Sequence, residues 1–168
     1  GAGAGAVTFG TTLGLSAGSA DDLTITAGTG VVTFTGAVAM DANDLIVASS
    51  QNSVITAGIG GSTGALDVTD SGTTDVNGAI ALSGAGTITL DAVTLGADAT
   101  TVGGAIAFGG AVTGDKGSAT AVGTGVGGGT VTFGSTLGLS AGSADDLTIT
   151  AGTGVVTFTG AVAMDAND

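Results

Sequence analysis

One segment of the sequence recurs almost unchanged after a long interval. Residues 7–44 recur at 131–168, 124 residues later, and the only difference between the two copies is Thr11, which becomes Ser135. A shorter motif also recurs: glycine, any residue, valine or isoleucine, threonine or alanine, then phenylalanine or leucine. It begins at Gly5, Gly30, Gly78, Gly104, Gly129 and Gly154. This spacing predicts a structural unit of about 25 residues.

The recurring motifs are predicted to be β-strands. They are short, rich in valine, isoleucine, threonine and phenylalanine, and they alternate between apolar and polar positions. In the segment 32–35, the apolar Val32 and Phe34 point to one side and two threonines point to the other. Helix is excluded because 35 of the 168 residues are glycine, and each glycine inside a helix costs about 1 kcal/mol.

A short strand cannot bury its apolar side alone, so strands at this spacing predict coils that stack on one another. We therefore expect an all-β fold, a parallel β-solenoid of nearly seven coils with about 25 residues per coil. Residues 1–168 are expected to form a single segment of a longer array built on the 124-residue repeat, with another coil continuing each end. Stacking of equivalent positions predicts two interior columns, one of Val7, Val32, Ile80, Ile106, Val131 and Val156 and one of Phe9, Phe34, Leu82, Phe108, Phe133 and Phe158.

Three segments carry a resemblance to a known class of protein. LTITAGTGVVTFTGAV at 23–38, GALDVTDSGTTDVNGAIALSG at 64–84 and the stretch 87–112 resemble the glycine- and threonine-rich bacterial beta strand repeat surface proteins. These are similar in style to filamentous-haemagglutinin-like exoproteins. The resemblance implies a right-handed parallel β-helix, a location outside the cell or on the bacterial cell surface, and an adhesive or structural role without a known active site.

Charge and composition exclude several functions. All 14 acidic residues are aspartate, Lys116 is the only base, and the formal net charge is -13. Nucleic-acid binding depends on lysine and arginine, so no nucleic-acid partner is expected. Polar residues or glycine interrupt every apolar run before it reaches the length of a membrane-spanning helix, about 20 residues, so no membrane insertion is expected. Few side-chain types remain for acid-base or nucleophilic chemistry, so no catalytic residue is predicted.

Clusters of aspartate are the only candidates for a metal site. Calcium takes about six to eight oxygen ligands, and the Asp-Ala-Asn-Asp segment offers several of them at one corner. The candidate calcium ligands are Asp41, Asn43 and Asp44 and, in the second copy, Asp165, Asn167 and Asp168. The alternative is that these side chains cap turns by hydrogen bonding to the backbone. Calcium is the only cofactor considered, and the sequence contains neither an EF-hand loop nor the calcium-binding nonapeptide.

These observations favour a structural role over catalysis. The predicted function is a repeat segment of an extracellular or cell-surface bacterial fibre or adhesin stalk, which associates with itself end to end or by covalent continuation. One alternative is a binding surface for a carbohydrate, a host partner or ice, since Thr-x-Thr pairs such as Thr24 and Thr26 resemble ice-binding arrays. A more distant alternative is a polysaccharide-degrading β-helix enzyme that uses Asp67, Asp70 and Asp91.

Overall fold

The chain winds into a parallel β-solenoid with three faces. The computed structural model describes residues 3, 5–18, 21–49, 51–114, 117, 119–139 and 146–164. Within these ranges the regular elements are β-strands, each coil adds one strand to each face, and neighbouring strands pair in parallel. The seven coils confirm the predicted fold class. None of the described segments forms a helix that could cross a membrane.

Twenty strands make up the three faces. The first face holds β1 (Val7–Phe9), β4 (Val32–Phe34), β7 (Ser53–Ile55), β14 (Val112–Gly114), β17 (Leu137–Leu139) and β20 (Val162–Met164). The second face holds β2 (Leu13–Gly14), β5 (Val38–Ala39), β8 (Ile59–Gly61), β10 (Ile80–Leu82), β12 (Ala99–Thr100), β15 (Thr120–Gly123) and β18 (Leu147–Thr150). The third face holds β3 (Leu23–Gly28), β6 (Leu45–Ser49), β13 (Ile106–Phe108), β16 (Val131–Phe133) and β19 (Val156–Phe158). The long strands β9 (Leu66–Val76) and β11 (Ile88–Leu95) bend from the third face onto the first.

The coil averages about 22 residues, so the predicted length of about 25 is wrong for part of the chain. On the first face, Val7 pairs with Val32, 25 residues later. In the middle of the solenoid, Thr74 pairs with Val93, only 19 residues later. The end coils are longer at other corners: eight residues separate β2 from β3 and seven separate β17 from β18, whereas five separate β5 from β6 and three separate β11 from β12.

The predicted valine and isoleucine column is also wrong beyond its first two members. Val7 and Val32 share a column on the first face, where Ser53 follows them. Ile80 lies instead on the second face. The remaining members, Ile106, Val131 and Val156, form a column on the third face.

The five phenylalanines form two stacks in place of the one predicted column. Phe9 and Phe34 stack on the first face, with ring centroids 5.1 Å apart. Phe108, Phe133 and Phe158 stack on the third face, with centroid separations of 5.1 and 5.0 Å, and Leu82 lies apart on the second face. Three of the phenylalanines are buried in a single hydrophobic core, Phe9 is half-buried, and Phe158 is exposed.

The two copies of the repeated sequence lie on different faces, which explains the failure of the columns. The strand VTF lies on the first face at 7–9 and on the third face at 131–133. The LTIT strand shifts in the same sense, from the third face at 23–26 to the second at 147–150. The 124-residue repeat therefore spans five and two-thirds coils. One sequence fits different faces because most strands bury alternate residues in the same way.

A column of glycines forms the corner before the third face. Each lies two residues before a third-face strand, and the members are Gly64, Gly86, Gly104, Gly129 and Gly154. A Cβ atom at any of these positions would lie closer than 3.0 Å to a backbone carbonyl oxygen of the preceding coil. The glycine of the recurring motif is therefore required, because any Cβ atom at these positions would clash with the preceding coil.

Candidate functional site

The predicted calcium corner at 41–44 is a hydrogen-bonded turn. Asn43 is buried, and its Nδ2 donates to the carbonyl oxygens of Ser16 and Met40 at 2.9 and 3.2 Å. Its Oδ1 accepts the backbone N–H of Asp21 at 3.1 Å. Asp41 is exposed and is the one described non-glycine residue with a positive φ, 52°. The Asn43 side chain therefore serves the backbone of its own and the preceding coil.

Carboxylates at the corners join successive coils. Asp22 Oδ1 accepts the backbone N–H of Asp44 at 2.9 Å, and Asp44 Oδ1 accepts that of Ala65 at 2.7 Å. Asp98 Oδ1 accepts the N–H of Ala121 at 2.9 Å. These bonds resemble turn caps, but each carboxylate bonds to the next coil and not to its own turn. Their function in the described structure is to link coils.

Calcium binding stays a prediction. The second set of candidate ligands, Asp165, Asn167 and Asp168, lies outside the described residues. Among the residues that the structure does describe, no group of three histidine, cysteine or acidic side chains could hold a metal ion.

The three aspartates of the enzyme alternative are only partly brought together. Asp67 is half-buried on the outer side of the third face, between Ile46 and Thr89. Asp70 is buried at the corner between the third and first faces, where β9 bends. Asp91 lies at the same corner one coil later, at the bulge of β11. Only Asp70 and Asp91 thus share a location.

Asp70 is an unusual carboxyl group in this fold. Its Oδ2 accepts the Thr74 hydroxyl at 3.3 Å, but its Oδ1 and the nearby Ser53 Oγ are buried without a hydrogen bond of standard geometry. Burial raises the pKa of Asp70, the neighbouring Ser53 and Thr74 partly offset this rise, and the Asp91 charge adds to it. The core therefore contains a carboxyl group that is destabilised in its charged form.

Replacing Asp70 with asparagine is expected to make the protein more stable at neutral pH. Because the pKa of Asp70 is raised in the folded state, the native protein binds this proton more tightly than the unfolded chain does. The free energy of unfolding therefore falls as pH rises from the ordinary carboxyl pKa through the folded-state pKa. Asp70→Asn should remove that fall and leave stability below about pH 3 nearly unchanged, as measured by urea unfolding across pH. Asp75→Asn, on the outer side of β9, controls for net charge. An equal gain in both variants would contradict the prediction.

The second face carries a groove. Its volume is about 390 Å³, and it is lined mainly by apolar and small residues of β10, β12, β15 and β18. The outward positions along this face are Gly14, Ala39, Gly60, Ala81, Thr100, Gly123 and Thr150. The side chains at these outward positions are therefore small, and none of them is charged.

The outward threonines do not form a continuous array. On the first face the outward column runs through Thr8, Thr33, Val54, Asp75, Thr94, Thr113, Gly138 and Ala163. Valine and aspartate separate its two threonine pairs, because the middle coils do not copy the sequence of the end coils. The regular threonine spacing suggested by the sequence is thus lost in the stack.

The last described coil exposes an apolar surface. Phe158, Val162 and Met164 lie on β19 and β20, and no described strand pairs with these two on the side away from β16 and β17. The same sequence is buried in the first copy. Phe34 is 1% exposed and Phe158 43%, while Met40 is 0% exposed and Met164 61%. Since the local sequences are identical, the difference comes from the coil that covers the first copy.

The first coil is also incompletely covered. Its apolar side chains Val7, Phe9, Leu13 and Leu23 are half-buried and pack against the core from one side. We call these two surfaces the first-coil surface (Val7, Phe9, Leu13 and Leu23) and the last-coil surface (Phe158, Val162 and Met164). Sequence analysis predicted continuing coils but did not identify these residues, because their exposure depends on which face each strand occupies.

Comparisons of the chain with protein-family models, curated proteins and solved structures find no match. The fold and these surfaces are therefore the basis for the functional proposal.

Proposed function

We propose that this chain is a structural segment of an extracellular or cell-surface fibre, in which coils continue from one segment to the next. The segment acts as a rigid rod and carries out no catalysis. Seven coils stacked at about 4.8 Å give it a height of about 34 Å. The location outside the cell follows from the resemblance to bacterial surface proteins.

One observation carries this proposal, namely the contrast between identical apolar residues in the two sequence copies. Phe34 and Met40 are buried beneath the next coil, and their equivalents Phe158 and Met164 are exposed. Open strand edges are templates for further pairing, and exposed apolar coil ends favour coverage by another coil. A following part of the same polypeptide or a neighbouring copy could supply that coil.

The negative net charge of the chain opposes self-association, so the association depends on ionic strength. A net charge of -13 on a short rod makes two copies repel each other, and only one basic residue is present to offset it. Salt shortens the range of this repulsion, to about 3 Å at about 1 M. We therefore expect self-association to increase with ionic strength, with neither nucleic acid nor a membrane as partner.

A second candidate function is a binding surface on the second face. The uncharged groove of about 390 Å³ there supports this candidate, with a carbohydrate or a host protein as the ligand. The interrupted threonine column on the first face does not favour ice binding. The structural role ranks first because the exposed coil ends are explained by it and not by the groove.

Electron microscopy and fibre diffraction of the purified chain test the proposal. In about 1 M salt, we expect thin unbranched filaments and an axial reflection near 4.8 Å from stacked strands. Particles that stay one solenoid long at every protein and salt concentration would contradict self-association. Filaments without the axial strand spacing would contradict the continuous stacking of coils.

A further inference from the structure

An exposed apolar ridge borders the groove of the second face. We define the valine ridge as Val102 and Val126, and Val102 also lines the groove. We propose that a second copy of this chain docks side by side on this face about a two-fold axis, so that the ridge of each copy fills the groove of the other. The inference rests on the proposed function, because it gives fibres a lateral contact in addition to the continuation of coils.

The groove lies along an outward column of the second face that includes a glycine. Four successive outward residues, from β10, β12, β15 and β18, line it: Ala81, Thr100, Gly123 and Thr150. Gly123 has no side chain to fill the space between the two threonines. The groove spans four strands, which corresponds to about 14 Å along the solenoid axis at about 4.8 Å per strand.

The chemistry of the groove favours an aliphatic occupant. Four hydroxyl side chains line it, and three of them already donate to backbone carbonyl oxygens of the solenoid, Ser83 at 3.1 Å, Thr100 at 3.4 Å and Thr101 at 2.6 Å. The residues that line the groove include no charged and no aromatic side chain. Polar ligands are oriented by a few free polar groups, so this groove is better suited to a hydrocarbon side chain than to a carbohydrate.

The ridge presents such side chains to solvent. Val126 is 90% exposed, and Val102, in the preceding coil, is 51% exposed. The corner 124–130 that carries Val126 has seven residues, whereas the equivalent corners 101–105 and 151–155 have five. The two additional residues allow Val126 to project beyond its neighbours. Covering these valines removes apolar surface from water, which favours association.

Hydrogen bonds fix the corner that carries Val126. The Thr124 hydroxyl donates to the Gly129 carbonyl at 3.0 Å and so closes the corner on itself. The Gly103 N–H donates to the Thr124 carbonyl at 2.8 Å and ties the corner to the preceding coil. Since the corner is already ordered, little conformational entropy is lost when Val126 enters a groove.

The surface contains both halves of the contact and keeps charges away from it. A ridge and a groove on one face allow an isologous contact, in which each copy supplies both. Two chains of net charge -13 repel each other, so they can approach most closely where aspartate is absent. Asp98 and Asp146 precede β12 and β18 and therefore lie at the edge of the second face opposite the ridge. These features favour a second copy as the occupant.

Sedimentation equilibrium in about 1 M salt measures the docking. Val126→Ala shortens the ridge, and Gly123→Val fills the groove, where a Cβ atom lies in ordinary contact 3.5 Å from its nearest neighbour. Gly14→Val is the control, since it makes the same substitution on the same face three coils from Ala81. We expect a weak wild-type dimer, as for other small interfaces, with a Kd raised about tenfold or more by each of the first two changes. The control should leave the Kd unchanged.

A mixture of the two variants tests the two-fold arrangement. In a mixed dimer, the intact ridge of the Gly123→Val chain meets the intact groove of the Val126→Ala chain, so one of the two contacts is restored. With a fluorescent label on one variant, we expect the mixed dimer to be tighter than either homodimer. A mixture that associates no better than its components would overturn the ridge-in-groove contact. Ala81→Leu fills the groove from an exposed position and is the second groove variant, and urea unfolding checks that each variant is folded.

Electron microscopy in about 1 M salt separates this inference from the proposed function. We expect paired filaments from the wild-type chain and single filaments from Val126→Ala. Wild-type filaments that stay single, or pairs that Val126→Ala does not separate, would overturn the lateral docking alone. Dimers that Val126→Ala weakens, without filaments, would support the docking and contradict the fibre. A wild-type chain that stays monomeric at every concentration would overturn both.

Discussion

Replacing Phe34 with alanine is expected to lower the free energy of unfolding by about 3 to 5 kcal/mol, as for other buried large-to-small changes. Phe34 is 1% exposed, stacks on Phe9 and lies in register with Ile55 of the next coil. Alanine would leave a cavity that neighbouring coils, fixed by their backbone ladders, cannot easily fill. Urea unfolding at low protein concentration and low salt measures the loss.

Phe158→Ala is the matched control for this prediction. Residues 27–40 and 151–164 have the same sequence, so the two phenylalanines have the same chain neighbours. Phe158 is 43% exposed because it stacks on Phe133 on one side, while no described strand pairs with β19 on the other, so we expect clearly less than half the loss seen at Phe34. Equal losses at the two positions would show that stacking by the next coil does not determine the contribution of these residues.

The sequence predicted the strands better than their arrangement. Alternation in segments such as VTF and LTIT correctly indicated short strands that bury one side. It could not assign them to faces, because VTF is used on both the first face at 7–9 and the third face at 131–133. The arrangement is fixed by corner lengths, which vary between the end coils and the middle coils. Similar sequence therefore indicated similar burial but not the same column.

The candidate site was predictable only in part, and Asp70 shows why. Sequence analysis grouped it with Asp67 and Asp91, which are half-buried in the structure. A signal was present, since Leu66, Val68 and Asp70 alternate along one strand and therefore point to the same, buried side. The exposure of Phe158 and Met164 carried no such signal, because the same residues are buried in the first copy.

Replacing Gly104 with alanine is expected to destabilise the protein by about 3 kcal/mol or more, the upper part of the range for an atom forced into a packed interior. Gly104 is buried, and a Cβ atom there would contact the Gly86 carbonyl oxygen and lie 2.8 Å from that of Ala85. The Gly104 carbonyl is itself held by the Thr101 hydroxyl at 2.6 Å, so the corner has little freedom to move. Because both obstacles are backbone atoms, relief requires the two coils to separate. Thermal and urea unfolding measure the effect.

Gly138→Ala provides the contrasting change. Gly138 lies in β17 on the outer side of the first face, where a Cβ atom would meet nothing within 4 Å. Alanine already occupies the next position in that column, at Ala163. We expect a gain of about 0.4 to 1 kcal/mol, because alanine restricts the unfolded chain without straining the folded one. Equal changes in stability for Gly104→Ala and Gly138→Ala would contradict this explanation. They would show that contact between coils does not require glycine in the recurring motif.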